Sequence, residues 1–310
     1  MALRILHFSD IHVWRSRGWD GEFSPKRILG RLNLLFNRKH RYPLEHGRAV
    51  VSAIVNRDAD LVVFSGDATT AALKGEFEDV VKLFTPIREK WGDRFVAIPG
   101  NHDRYTKGVS QGRAFEKYIV GKEQTYPYVL NLGDGYSLIA IDLSWPRPVS
   151  AKGRMTQAQF EAIRKRIEAE KLKGRKCLVV GHYPLAYPYG QKIRPGHVLP
   201  KRNMLAEMLE KAEVRLYMHG HIHKRWAINV QTRGPLQEVR PWKNDSWGLL
   251  CVNSGSAGKR SEHAGHTAGY GEIVLEDDGL ASITAHYLDG TDRSSAQWKS
   301  YSLQTGPPVL

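Results

Sequence analysis

Short apolar runs recur along this chain, and each stops abruptly at polar residues. They are RILHFSD (4–10), LVVFSGD (61–67), FVAIPGNHD (95–103), YSLIAID (136–142), CLVVGHYP (177–184), VRLYMHGHIH (214–223) and LLCVNSGS (249–256). Their length and branched aliphatic content read as buried strands. Helical patterns lie between them at 46–56, 76–90, 156–173 and 202–212. The third opens on Thr156 as N-cap and ends basic before Gly174. EIVLEDDG and ITAHYLDG read as a hairpin around 277–279. Strands alternating with helices predict a layered α/β domain. With no internal repeat, a single domain over 1–291 is expected, with 292–310, rich in Ser, Gln, Gly and Pro, as a loosely held tail.

The reactive residues follow the apolar runs, where open α/β sheets bind ligands. Asp10 and His12 end the first run, Asp67 the second, and Asn101, His102 and Asp103 the third; His182, His221 and His223 end later ones. Asp10 and His12 are two apart, as are His221 and His223, so extended backbone would turn each pair one way. Gly66, Gly100, Gly181 and Gly220 each precede one of these residues, where glycine permits tight turning and close approach. One D-x-H is weak evidence; five such strand ends in series are not a packing pattern. Mixed oxygen and imidazole donors suit Mn²⁺, Fe, Zn²⁺ or Co²⁺. There are too many donors for one tetrahedral ion and enough for two. Paired ions about 3.5–4 Å apart form a phosphoryl-transfer clamp. His219, the first histidine of MHGHIH, reads as an interior histidine, and His7, His40, His46, His197 and His286 take the same reading. His263 and His266, in a glycine-rich loop, stay open between structure and substrate contact.

SDIH, SGDA, GNHD, GHYP and GHIH occur in that order between Asp10 and His223. This series resembles the calcineurin-like metallophosphoesterases, and within them the small bacterial phosphodiesterase branch. The resemblance implies two packed mixed β-sheets flanked by helices, a four-layer α/β/β/α sandwich. It implies that Asp67 bridges two divalent ions, one also held by Asp10, His12 and His223, the other by Asn101, His182 and His221. It makes His102 the general acid, with Asp103 orienting it, and a metal-bridging hydroxide the nucleophile of phosphodiester hydrolysis. Departures narrow the branch. GDATTAA is unlike the protein phosphatases' G-D-x-V-D-R-G, Thr70 stands where purple acid phosphatases have a tyrosine ligand, and His102 stands where lipid A pyrophosphatases have arginine.

The formal charge of +14 favours anionic partners, a phosphate ester or diphosphate first among them. It also keeps other readings open: a pyrophosphatase acting on a lipid-linked or nucleotide diphosphate, or an SbcD-like DNA nuclease. A catalytically silent scaffold of the same fold is the non-enzyme alternative, against which the full ligand set argues. Residues 24–43 form a basic amphipathic insertion, with Ile28, Leu32, Leu35 and Phe36 on one helical stripe and Arg38, Lys39 and Arg41 beside it. Such a segment either packs on its own domain or rests on an anionic membrane. Cys177 and Cys251 lie in apolar runs, no run approaches a membrane span, and MALRILHFSD turns polar too soon for a signal peptide. The expected location is cytoplasmic, with peripheral contact at the inner membrane face through the insertion.

Overall fold

Ile5 and Leu6 point to opposite faces of the first strand, and the same alternation lays out every layer. A computed structural model describes residues 2–15, 39–133, 135–230, 249–263, 265–276, 279–289 and 297–303. β1 (Leu3–Phe8) is central to a six-stranded sheet ordered β12-β11-β10-β1-β2-β3. β2 (Leu61–Phe64) and β3 (Phe95–Ala97) run parallel to it, while β10 (Gly269–Glu276), β11 (Gly279–Asp289) and β12 (Gln297–Ser302) pair antiparallel. A second six-stranded sheet is ordered β4-β5-β6-β7-β9-β8. Its parallel centre is β5 (Tyr136–Ala140), β6 (Lys176–Val180), β7 (Leu216–His219) and β9 (Leu250–Ser254). Antiparallel β4 (Tyr128–Gly133) and β8 (Arg225–Asn229) close its edges.

Ile5, Val63 and Val96 pack against Leu138, Val180 and Met218 between the sheets. One residue along, Leu6, Val62 and Phe64 face outward under α1 (Leu44–Val55) and α2 (Lys74–Trp91). On the second sheet Ile139, Val179 and Cys251 face α4 (Gln157–Lys171) and α5 (Arg202–Lys211); a short α3 (Lys107–Gln111) follows β3. Each central strand is therefore apolar on both faces, as parallel strands covered on both sides must be. The expected four-layer arrangement of two mixed sheets is the one observed.

Three strands were not expected. β4 and β8 lack a clean apolar run, and β12 lies within the tail expected to be loosely held. Its sequence QWKSYS is largely exposed, so only backbone pairing to β11 marks it as a strand. The amphipathic stripe of the 24–43 insertion lies outside the described residues. From that segment Lys39–Arg41 form one helical turn, followed by Tyr42 and Pro43.

Glu76, fully buried in the first turn of α2, accepts hydrogen bonds from Ala71 N–H (2.8 Å) and Leu73 N–H (3.2 Å) through one carboxylate oxygen. Burial raises its pKa from 4.5 to about 7, against the pull of those bonds. The folded state therefore holds this proton more tightly than the unfolded chain. Stability from this group is full below pH 4.5 and falls as pH rises to about 7, by about 3 kcal/mol in all. Glu76→Gln should remove that decline. Urea titrations in chelator should show the variant gaining on wild type across this window; parallel curves would contradict the assignment.

Candidate metal centre

The ligand-type residues sit just beyond the ends of β1, β2, β3, β6 and β7, where the backbone leaves the sheets. Asp10, His12, Asp67, His221 and His223 all have positive φ, between 52° and 75°. Extended backbone does not align the two-apart pairs, as the sequence suggested; left-handed turns do. Asp and His tolerate that region better than most residues, and the strain falls where side chains must converge. Parallel contacts hold the first two loops together: Asp10 N–H donates to Gly66 O (2.9 Å) and His12 N–H to Asp67 O (3.1 Å). Gly100 and Gly220 serve close approach here, since a Cβ would collide with the Asp67 carboxylate at the first and with Ser9 and Asp10 at the second.

Asp10, His12, Asp67 and His223 bring one ligand atom each within 4.8 Å of one another, and Asp67, His182 and His221 form a second such group. Asp67 belongs to both. Its Oδ2 lies 3.8 Å from His12 Nε2 and 3.4 Å from His182 Nε2, while Oδ1 accepts from His102 N–H (2.8 Å). Asn101 Oδ1, 3.3 Å from His182 Nε2, joins the second group. Burial alone would raise the Asp67 pKa, but His182, His102 and His12 outweigh it and hold the carboxyl well below its ordinary value.

The remaining ring nitrogens identify the tautomers. Backbone carbonyls cannot donate, so a nitrogen bonded to one must carry the proton. His182 Nδ1 is 2.8 Å from Ser65 O, His221 Nε2 is 2.8 Å from His197 O, and His12 Nδ1 is 3.4 Å from Thr69 O. Their other nitrogens point inward. Burial keeps His221 neutral there, whereas at His182 the Asp67 charge outweighs burial and raises the pKa to about 9, so a cation entering beside Asp67 would take the place of the Nε2 proton. There His12 Nε2 meets His223 Nε2 at 3.1 Å and His221 Nδ1 meets His182 Nε2 at 3.3 Å. Asp10 Oδ2 accepts from Ser9 Oγ (2.7 Å) and His221 N–H (2.9 Å), but its buried Oδ1 has no hydrogen-bond donor. Ring nitrogens and carboxylates converging on an orphaned carboxylate oxygen suit a cation among them. The donor set fits two divalent ions with Asp67 between them.

Tyr42 went unnoticed in the sequence. Its hydroxyl lies 2.6 Å from His223 Nδ1 and orients that ring. A hydroxyl can donate or accept, so with a cation at Nε2, which lies 3.0 Å from Asp10 Oδ1, Nδ1–H would donate to the Tyr42 oxygen. Tyr42 is buried, with its ring edge-on to His12 at 4.8 Å. No motif spacing marks a tyrosine so far in sequence from its partner.

Asp103 does not have the expected place. Its carboxylate accepts from the N–H groups of Ala68 (3.1 Å), Thr69 (2.9 Å) and Gly100 (3.0 Å), and from Thr69 Oγ1 (3.0 Å). It ties the Asp67 loop to the Asn101 turn. His102 is oriented by Thr70 O, 2.6 Å from its Nδ1. Arg104, also missed, donates to Asp142 Oδ2 (2.8 Å) and to Glu116, anchoring this turn to the end of β5. His219 is interior, as expected, against Trp226 and Tyr217, and burial lowers its pKa to about 3.

A cleft of about 370 Å³ opens over the two groups, lined by Asn101, His102 and His223 and by basic Lys192, Arg194 and Lys224. A larger groove of about 880 Å³ between α4 and α5 holds none of these ligands. No helix among the described residues is long and apolar enough to cross a membrane.

A family model described as calcineurin-like phosphoesterase matches residues 3–225. Among solved structures, a dimetal phosphatase from Danio rerio superimposes with a TM-score of 0.58 at 12% identity, covering 97% of this chain and 99% of that one. A purple acid phosphatase from yellow lupin seeds has the same TM-score at 17% identity; 97% of this chain covers 53% of that one, about half its length. At these identities the likeness is one of fold. No curated protein sequence matches the chain.

Tyr42→Phe removes the hydroxyl that orients His223 through Nδ1. We expect metal affinity on the Asp10 side to fall by about 10–100-fold, the usual cost of losing a ligand's orienting partner, with the other ion retained. Cobalt titration followed by absorbance and by metal content checks this. Two ions held as tightly as in wild type would contradict it.

Proposed function

The chain belongs to the calcineurin-like phosphoesterase family, and from that premise we propose that it is a phosphodiesterase that works with two divalent ions. Asp10, His12 and His223 would hold one, Asn101, His182 and His221 the other, with Asp67 between them. The observation that carries this reading is the pair of ligand groups sharing Asp67, with inward ring nitrogens directed by outer hydrogen bonds. When bound, such ions acidify water to supply a nucleophile near neutral pH and offset charge on the phosphoryl oxygens. Mn²⁺, Fe, Zn²⁺ and Co²⁺ all suit the donors.

The chain's own groups supply the rest. Asn101, neutral, adds a donor atom without adding negative charge toward an anionic ester. His102 lines the cleft with Nδ1–H committed to Thr70 O, which leaves Nε2 to handle a proton. As one P–O bond forms to water and the ester P–O bond breaks, protonated His102 gives its Nε2 proton to the departing oxygen. Lys192, Arg194 and Lys224 draw the anionic substrate to the cleft.

Purified protein should hydrolyse bis-p-nitrophenyl phosphate in a chelator-sensitive way, and Asp67→Ala should bring activity to background. His102→Ala should lower kcat by about 10²–10⁴ with metal content unchanged. The loss should be smaller for nitrophenyl than for alkyl leaving groups, which need the proton. Equal losses would remove the acid role, and full activity in Asp67→Ala would remove the two-ion reading.

A further inference from the structure

Three separate segments bring cations together beside His223. Lys224 follows that histidine directly and lines the cleft, its ammonium 2.9 Å from Oε1 of Gln191, which lines the same cleft. Arg41 lies one residue before Tyr42, and its carbonyl accepts from Arg260 N–H (2.7 Å), which draws the 259–260 segment alongside. Lys259 is partly buried there, its own N–H bonded to Ser256 Oγ (3.1 Å), whose hydroxyl donates to Asp10 O (2.6 Å). Burial first, then the charges of Lys224, Arg41 and Arg225, lower the Lys259 pKa. Burial, Lys259 and Lys224 push the neighbouring His266 down to about 4, so it remains a neutral partner. Among the described residues, none of Arg41, Lys224 and Lys259 pairs with an acid. Arg15 and Arg175, by contrast, are paired with Asp79 and Glu170. Like charges gathered next to an anion-handling site, without a counter-charge, suit an anion that arrives with the substrate.

We propose that Arg41, Lys224 and Lys259 form a subsite for a second phosphoryl group of the substrate, on the arm of the diester that is not released. The preferred substrate is then a doubly phosphorylated ester, with one phosphoryl group at the ligand cluster and the other against the three cations. The inference rests on the phosphodiesterase reading, and it deepens that reading by stating what distinguishes a good substrate from a poor one. It also gives the excess of base over acid in the chain a local use.

Two chromogenic diesters with one leaving group test it: p-nitrophenyl propyl phosphate, and its analogue whose propyl chain ends in a phosphonate. The metal-loaded wild type should show at least a tenfold lower KM for the phosphonate ester, with similar kcat. Lys259→Gln and Lys224→Gln should each move the KM ratio toward one, and Lys259→Arg should keep it. A ratio near one in wild type, or an unchanged ratio in both glutamine variants, overturns the subsite. If neither ester is turned over, the phosphodiesterase reading fails and calorimetry judges the subsite alone. Propane-1,3-diphosphonate should then bind wild type at least tenfold more tightly than propylphosphonate, an advantage lost in Lys259→Gln; equal binding overturns it. Weaker sedimentation of Lys259→Gln with phosphatidylglycerol vesicles at an unchanged ester ratio would also overturn it, in favour of a lipid headgroup contact.

Discussion

Backbone carbonyls at Ser65, Thr69 and His197 each take an imidazole N–H, and that arrangement decides where the opposite nitrogens point. A neutral imidazole has one donor and one acceptor, so fixing the donor fixes the acceptor's direction. Three rings thereby turn their second nitrogens into one buried volume, and His223, oriented by the Tyr42 hydroxyl, adds a fourth. Two carboxylates lie within the same volume, Asp10 with an oxygen that no donor satisfies. Such a cluster is costly unless cations enter it, so the fold must hold it together by other means.

Those means are the loops and the turn that follows β3. Asp103 uses its carboxylate on three backbone N–H groups and one hydroxyl, which fastens the Asp67 loop to the Asn101 turn. Arg104, next in sequence, reaches Glu116 and Asp142 and fastens the same turn to the second sheet. The positive φ at Asp67 is tolerated because these contacts over-determine its loop. The apolar sandwich beneath supplies the rigid floor, since Ile5, Val63, Val180 and Met218 belong to one interior cluster.

Much of this was legible in the chain. Apolar runs of strand length, each ended by a ligand-type residue, gave the central strands of both sheets and the edge where the site forms. β8 and β12 escaped because edge strands need not be apolar: the ladder holds them, and their side chains carry little pattern. Asp103 was legible as part of GNHD but not in its task, since adjacency to His102 in sequence does not put the carboxylate against that ring. Thr70, which does orient His102, acts through a carbonyl that every residue possesses. Tyr42 lay far from His223 in sequence, and only the fold brings them together. The left-handed turns, too, are only permitted by Asp and His locally, and tertiary contacts select them.

The central claim is that the ends of both sheets together hold two ions with Asp67 between them. Anomalous diffraction at the manganese edge, from crystals grown with Mn²⁺, tests it most directly. The account predicts two peaks about 3.5–4 Å apart, one beside Asp10, His12 and His223 and one beside Asn101, His182 and His221, both in contact with Asp67. A single peak, or two peaks with Asp67 bound to only one, would contradict it.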